Sequence, residues 1–373
     1  MVLFYTRPTS LIGRQWLRTY TTARSNLTVD ALVYSQYGKP TDVLKWHSYP
    51  LPALTSETVH VKFLASPINP ADVNQVQGAY PLKPPFERLA ESDDTKYAVG
   101  GNEGVAQVVA VGDNVKGLKI GDQVIMANAG YGTWRTYAAG PASDFQALPM
   151  ADNISKIQLA TLSVNPCTAY RMLKDFVNLK QGDYVIQNGA NSAVGQSVIQ
   201  LAKAWGIKTI NVVRNRPDID DLRKDLEQLG ATHVITDDTL GSHETKSMIK
   251  AWGQPKLGLN CVGGKSATEM ARHLSANGQY VTYGAMARAP LALPASLLIF
   301  KNLAFHGFWM SRWTDTHSVE ERTNMVNELI GLMKQGAFTE PKWTPVEWNE
   351  QAVKTAVDQG IQGFGTGKQV ILF

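Results

Sequence analysis

YVIQNGANSAVGQSVIQLAKAWG, residues Tyr184–Gly206, is the stretch on which the fold turns. Tyr184–Gln187 has the length and apolarity of a buried strand. Ala193–Trp205 carries Val194, Val198, Leu201 and Ala202 at helical spacing. Between them lies Gly189-Ala190-Asn191-Ser192-Ala193-Val194-Gly195. In a dinucleotide fold the first strand–turn–helix aims helix N-terminal amides at a pyrophosphate. The fingerprint is G-x-G-x-x-G, so with Gly195 as its third glycine, Ala190 and Ser192 replace the first two. Both are small enough to let a backbone approach closely. An αβ turn in a sheet that binds nothing reads equally well from these residues alone.

The next strand tips the reading. Ile210–Val213 ends in Arg214-Asn215-Arg216, where an NAD enzyme places a carboxylate for the ribose 2′-hydroxyl. A guanidinium there can grip a 2′-phosphate that a carboxylate would repel. The expected cofactor is therefore NADPH. Pro217-Asp218 opens a helix to Leu229, stopped by Gly230. Val234-Ile235, Leu257–Val262 and Tyr280–Tyr283 read as further strands with helices between, among them Ser266–Leu274. This alternation predicts a doubly wound parallel sheet.

Upstream the pattern differs. Val59, Val61 and Phe63 alternate with His60 and Lys62. Val105–Val111 runs into Gly112-Asp113-Asn114, and a turn at Gly121-Asp122 precedes Val124-Ile125. Short strands with Gly-Asp turns predict a β-rich domain. Downstream, Ser318 and Glu321 form a capping box for a helix to Gln335, with Val326, Leu329, Ile330 and Met333 on its apolar face. The chain ends in a strand, Gln369–Phe373.

Composition narrows the function classes. A chain of 373 residues with 44% hydrophobic and 18% charged residues is globular and has room for two domains. Mean hydropathy is −0.18. The most apolar run, Leu291–Phe300, is broken by Pro294 and stopped by Lys301, so no membrane insertion is expected. Cys167 and Cys261 are the two cysteines, too few for a disulfide scaffold or a four-cysteine zinc site. The net charge of +4 comes from the start of the chain: Arg7, Arg14, Arg18 and Arg24 all precede the first acidic residue, Asp30. The rest is balanced, which excludes a nucleic-acid partner. That Arg- and Ser-rich, acid-free opening, with Leu11, Trp16 and Leu17 on one helical face, predicts a mitochondrial transit peptide over residues 1–25 and a matrix location.

The chain resembles the medium-chain dehydrogenase/reductase superfamily. The zinc alcohol dehydrogenases of that superfamily carry a Gly-His-Glu turn; here it is Gly101-Asn102-Glu103, with no cysteine before Cys167. The residues for zinc bound by His and thiolate are lacking, so no metal is expected. Pro67-Ile68-Asn69-Pro70-Ala71-Asp72 through Gly78-Ala79-Tyr80 resembles the metal-free branch, and within it the mitochondrial trans-2-enoyl-thioester reductases. So do Gly100–Gly104, Asn165-Pro166-Cys167-Thr168-Ala169-Tyr170 and Gly307-Phe308-Trp309. The Tyr80 ending and the N-P-C-T-A-Y run are the specific signals, whereas I-N-P-x-D is shared widely. Ala193 and Ala285 stand where that family usually has glycine.

The resemblance implies an α/β fold: a GroES-like β-rich catalytic domain (26–160), a Rossmann doubly wound parallel-sheet nucleotide domain (161–310) and a return to the catalytic domain (311–373). It implies reduction of trans-2-enoyl thioesters of acyl carrier protein or CoA by NADPH, the last step of mitochondrial fatty-acid elongation, by a homodimer. Tyr80 is the implied catalytic proton donor. A phenol with pKa near 10 stays protonated and can bond an enolate oxygen; a loop tyrosine packing its ring is the bland alternative. Asn165 is placed by the family near the nicotinamide ribose, or is a helix N-cap. The backbone at Asn191, Ser192, Ala193 and Val194 is implied to hold pyrophosphate. Arg214, Asn215 and Arg216 take the 2′-phosphate. Tyr283, Gly284, Ala285 and Met286 pass along the cofactor, and Phe308, Trp309 and Met310 edge the nicotinamide. Trp309 reads equally as core. Lys368 is placed near the adenosine side or the acyl-carrier entrance, or in solvent. An NADPH quinone reductase of the same fold is the alternative, and a non-enzymatic NADPH-binding regulator the alternative from another class.

Overall fold

Tyr184–Asn188 is buried along its whole length, as a strand covered on both faces must be. It is the centre of the middle sheet in a computed structural model that describes residues 27–149, 153–361 and 367–373. The expected transit peptide lies outside the described residues. Eight strands come first: β1 (Thr28–Tyr34), β2 (Lys45–Pro50), β3 (Thr58–Pro67), β4 (Ala98–Val99), β5 (Val105–Val111), β6 (Gln123–Met126), β7 (Tyr137–Pro141) and β8 (Phe145–Ala147). The middle sheet holds β9 (Tyr184–Asn188), β10 (Lys208–Val213), β11 (His233–Thr236), β12 (Leu257–Asn260), β13 (Gln279–Thr282) and β14 (Ala304–Gly307). β15 (Trp343–Glu347) and β16 (Lys368–Leu372) close the chain.

The middle sheet runs β11-β10-β9-β12-β13-β14, with every pairing parallel. Strand order reverses between β9 and β12, and a crevice opens beyond the carboxyl ends there. Interior amides tie those ends together. Gln187 Nε2 donates to Asn211 Oδ1 at 2.8 Å and to the Gly195 carbonyl at 2.9 Å. Asn188 Nδ2 donates to Asn260 Oδ1 at 2.8 Å. The helix Ala193–Ala204 follows β9, and Gly230 closes the helix Ile219–Leu229 in a left-handed conformation, φ +112°. β14, which the sequence reading did not propose, adds the sixth strand.

The first and last parts of the chain share a seven-stranded sheet, β15-β16-β3-β5-β6-β8 with β7 also on β3. A three-stranded sheet, β2-β1-β4, lies beside it. His60 was expected on a solvated face, but β3 is central and His60 is buried with Val59, Val61 and Phe63. Burial lowers its pKa. β16 pairs with β3 next to Pro67, so the C-terminal strand lies directly under the I-N-P-x-D turn. The expected capping box of the helix Val319–Lys334 is present. Its buried face joins Cys167, Met172, Val185 and Leu201, together with Ala65, Val105 and Ile125 of the first sheet, in one core spanning both parts.

Candidate active site

Tyr80 is placed by the short helix Pro70–Val76. Pro70 occupies the first turn, where its missing N–H costs nothing. The Asp72 carboxylate accepts the Asn69 N–H at 2.6 Å. The helix ends at Gly78, φ +75°, where Tyr37 fills the space that a Cβ would need. The Ala79 and Tyr80 N–H groups both donate to the Asn74 carbonyl, at 2.9 and 3.1 Å. The phenol is thereby turned into a cleft of about 190 Å³ between the two parts of the chain.

One wall of this cleft carries Asn69, Tyr80, Asn102 and Asn128. The other carries Val194, Tyr283, Phe308, Trp309 and Met310, with Thr168 and Arg322 between them. Trp309 Nε1 donates to the Tyr80 hydroxyl oxygen at 2.8 Å, and the two rings meet edge to face at 5.9 Å and 83°. Burial pushes the Tyr80 pKa up, the Trp309 bond opposes it, and Asp72 adds to the rise. The hydroxyl is therefore a proton donor at neutral pH.

Beneath Asn69 and Asn102 lies a charged network. Asn69 Nδ2 donates to Glu103 Oε1 at 2.7 Å, and Lys368 Nζ donates to Asn69 Oδ1. Asn102 Nδ2 donates to Asp72 Oδ1 at 2.6 Å and to Gln75 Oε1 at 3.0 Å. Its Oδ1 accepts from the Gly130 N–H at 2.8 Å. Glu103 Oε2 accepts the Val164 N–H at 3.1 Å. Burial raises Asp72 to about 6 and Glu103 to about 7, while Lys368 pulls both down. Lys368 is itself lowered by burial. Of the places expected for it, this excludes solvent: its ammonium is buried under the Tyr80 end of the cleft, bonded to Asn69. The charge of β16 compensates carboxylates embedded by the two tight motifs. The sequence reading quoted Asp72, Asn102 and Glu103 as motif letters without giving them this task. A carboxylate inside a segment otherwise made of amides, glycine and apolar residues was the available signal.

Gly100 and Gly101 serve packing. A Cβ on either would lie 2.3–2.5 Å from Trp134 or Thr133 atoms, and Gly101 has φ +90°. Among the described residues no group of three or more His, Cys, Asp and Glu could hold a metal. Cys167 and Cys261 are buried and free. Burial pushes Cys167 up to about 12.

The cofactor residues gather along the crevice of the middle sheet. A Cβ on Gly195 would lie 2.5 Å from the Ala190 carbonyl oxygen, so the turn after β9 is as tight as the fingerprint requires. Ser192 is the N-cap of the following helix, its Oγ accepting from the Gly195 N–H at 3.1 Å, and Asn191 is exposed beside it. Asn165 is not an N-cap: it is the first residue of the helix Asn165–Asp175, and its Nδ2 is buried with no partner. The Tyr283 hydroxyl is also buried beside Ser192 and Cys261, meeting hydrogen-bond geometry with neither. Two orphaned donors along one crevice fit a polar ligand there. Gly284, Ala285 and Met286 follow β13, with the Met286 N–H on the Cys261 carbonyl at 3.0 Å. Arg214, Asn215 and Arg216 follow β10 at the far end. Asn215 reaches Asp238 at 2.8 Å, and Arg216 makes a bidentate pair with Asp218 at 2.6 and 3.0 Å. That pair is half-exposed and therefore weak.

Comparison with known proteins shows the family. Residues 55–150 match the alcohol dehydrogenase GroES-like domain, and residues 193–328 match the zinc-binding dehydrogenase family. The mitochondrial enoyl-(acyl-carrier-protein) reductase of Rattus norvegicus is 48% identical over 343 residues, 92% of this chain and 88% of that one. A mitochondrial 2-enoyl thioester reductase Etr1p/Etr2p heterodimer from Candida tropicalis superposes with TM-score 0.88 at 40% identity, over 93% of this chain and all of that one. The Etr1p/NADP/crotonyl-CoA complex superposes equally well, TM-score 0.88 at 39% identity, with the same coverage. The chain belongs to the mitochondrial enoyl-(acyl-carrier-protein) reductases, within the medium-chain dehydrogenase/reductase superfamily.

Proposed function

We propose that this chain reduces the Cα=Cβ bond of trans-2-enoyl thioesters with NADPH in the mitochondrion, with the acyl carrier protein thioester as its native substrate. The observation that carries this reading is the Tyr80 hydroxyl, held at the cleft with its oxygen bonded by Trp309 and its proton free.

The residues fit the dinucleotide. The Asn191–Val194 turn would hold pyrophosphate, Arg214, Asn215 and Arg216 the 2′-phosphate, and Asn165 and Tyr283 the nicotinamide side. Gly284–Met286 and Phe308–Met310 would line its path. Hydride for Cβ is the chemistry the bound cofactor supplies. Tyr80 then meets the negative charge that develops on the thioester oxygen and delivers a proton to Cα: its O–H bond breaks, the enolate electron pair forms the new C–H bond, and the phenolate is reprotonated from water. The amides of Asn69 and Asn102, fixed from below by Asp72 and Glu103, keep that wall rigid.

The proposed organisation keeps a transit peptide at 1–25, catalytic segments at 26–160 and 311–373 and a nucleotide domain at 161–310. The proposed assembly is a homodimer. Leu298, Ile299 and Phe300 are exposed by 48, 69 and 81%, beside the edge strand β14, which supports a partner along that edge. The deciding assay is NADPH oxidation with a trans-2-enoyl-CoA against a benzoquinone, using wild type and Tyr80→Phe. Turnover of the enoyl thioester that collapses in Tyr80→Phe is expected. Preference for the quinone, or full thioester turnover by Tyr80→Phe, would overturn the reading.

A further inference from the structure

Of the described residues that line the cleft, Arg322 alone carries a charge. The chemistry assigned to Tyr80 leaves this guanidinium without a task. We propose that Arg322 reads the far end of the acyl chain: it takes a carboxylate carried there, so that the cleft selects trans-2-enoyl thioesters with an anionic distal end over hydrocarbon chains of the same length. The proposal rests on the reading of this chain as an enoyl-thioester reductase, and it names the acyl class that reading leaves open.

Arg322 stands in the first turn of the helix Val319–Lys334 and is only partly exposed. Burial lowers its pKa, as it must for a cation withdrawn from water. Cations in such places are normally paired, because an unpaired one is costly. Arg322 is not: among the described residues no Asp or Glu forms an ion pair with it. Its neighbour Glu321 is committed to the Ser318 N–H and hydroxyl. The guanidinium donates instead to the Met126 carbonyl, at 2.6 Å. That bond ties it to the end of β6 and fixes its direction. A guanidinium offers five N–H donors in a planar fork, so donors remain for a ligand, and the group that fits the fork best is a carboxylate.

Its place separates it from the reacting atoms. Burial, Trp309 and Asp72 govern the Tyr80 hydroxyl, and Arg322 does not enter. The Arg322 charge acts on Cys167, in the helix Asn165–Asp175. A thioester with its Cα at Tyr80 therefore brings a more distant part of itself to Arg322. Two parts lead away from Cα, the acyl chain and the pantetheine arm. The arm must run outwards to its carrier, whereas Met126 and Cys167 beside the guanidinium are both buried. The interior end of the cleft belongs to the acyl chain. A hydrocarbon tail laid there would take water from the remaining N–H groups and return no bond, which is the costly case for a buried donor. A carboxylate returns charge-assisted bonds.

The test compares trans-2-octenoyl-CoA with trans-2-octenedioyl-CoA, the same chain ending in a methyl group or a carboxylate, both with NADPH. In the wild type kcat/KM should favour the carboxylated chain roughly tenfold, the worth of one hydrogen bond between charged groups. The difference should lie in KM, because the contact is remote from the reacting carbons. Arg322→Met keeps the bulk and removes the charge, and it should reverse the preference; Arg322→Lys should retain part of it. The ratio of two substrates on one protein cancels any general loss of active enzyme. A wild-type preference for the methyl-ended chain, or an unchanged ratio in Arg322→Met, overturns the proposal. If Arg322→Met fails to fold, inhibition of crotonyl-CoA reduction by wild type decides: octanedioyl-CoA should inhibit at roughly tenfold lower concentration than octanoyl-CoA, and equal inhibition overturns the proposal. No turnover of crotonyl-CoA by the wild type overturns the reading beneath it instead.

Discussion

Replacing Lys368 with Met should destabilise this protein in a strongly pH-dependent way. Asp72 and Glu103 are raised from 3.8 and 4.5 to about 6 and about 7, chiefly by burial. Their native forms hold protons that the unfolded chain has released. The stability of the wild type therefore falls as pH rises from about 4 towards 7, by roughly 3 kcal/mol per carboxyl at 1.36 kcal/mol per pKa unit. Among the described residues the Lys368 ammonium is the cation that acts on both, and it keeps the window from reaching further up. In Lys368→Met both carboxyls rise further, and at pH 8 the protein must bury unpaired anions or keep protons against a high pH. Breaking such a buried set costs about 3–5 kcal/mol. That corresponds to a Tm loss on the order of 10 °C. At pH 5 both carboxyls are already largely neutral, and a Met side chain is at home in the interior, so the loss should shrink to a small fraction. The assay is thermal unfolding of the cofactor-free protein at both pH values. Equal losses at pH 5 and pH 8, or none at pH 8, would refute the charge argument.

Gly195→Ala places a methyl 2.5 Å from the Ala190 carbonyl; it should open the turn after β9 and weaken NADPH binding at least tenfold, read by fluorescence titration. Arg214→Asp should raise the KM for NADPH far more than that for NADH, and equal wild-type KM values for the two cofactors would remove the basis for this. Cys167, pushed to about 12 and buried, should be inert: iodoacetamide at pH 7.5 should leave enoyl thioester reduction unchanged. Chelation by EDTA should do the same, and activity lost with stoichiometric zinc would contradict the reading of Asn102.

The parallel sheet was legible because its strands are short apolar runs closed by helix signals: Asp218 and Gly230 bracket one helix, Ser318 and Glu321 open another. β14 was not, because Ala304-Phe305-His306-Gly307 is neither apolar throughout nor alternating. Its pairing with β13 comes from tertiary context. His60 misled for a similar reason: it shares its face with exposed Lys62, and alternation does not say where along a strand that face is covered. The cleft residues Tyr80, Val194, Tyr283, Phe308, Trp309 and Met310 do converge. The burial of Lys368 was not legible, because only the pairing of β16 with β3 carries it beneath Asn69.

Asn102 links these observations to the chemistry. In the zinc alcohol dehydrogenases that this chain resembles, the equivalent turn offers histidine to a metal. Here the amide is committed on both sides, donating to Asp72 and Gln75 and accepting from Gly130. It clamps the Tyr80 helix to the loop that forms the cleft wall. The carboxylates are thereby drawn away from the substrate: no Asp or Glu lines the described cleft, whose side-chain polar groups are amides, hydroxyls, the Trp309 indole N–H and the guanidinium of Arg322. A cleft edged by the Tyr80 hydroxyl, with its anions held behind the wall, favours a reaction whose negative charge appears transiently at its centre. Hydride addition to an enoyl thioester is such a reaction. Alcohol oxidation starts by removing a proton from oxygen and needs a base or metal where this chain has placed Asn102.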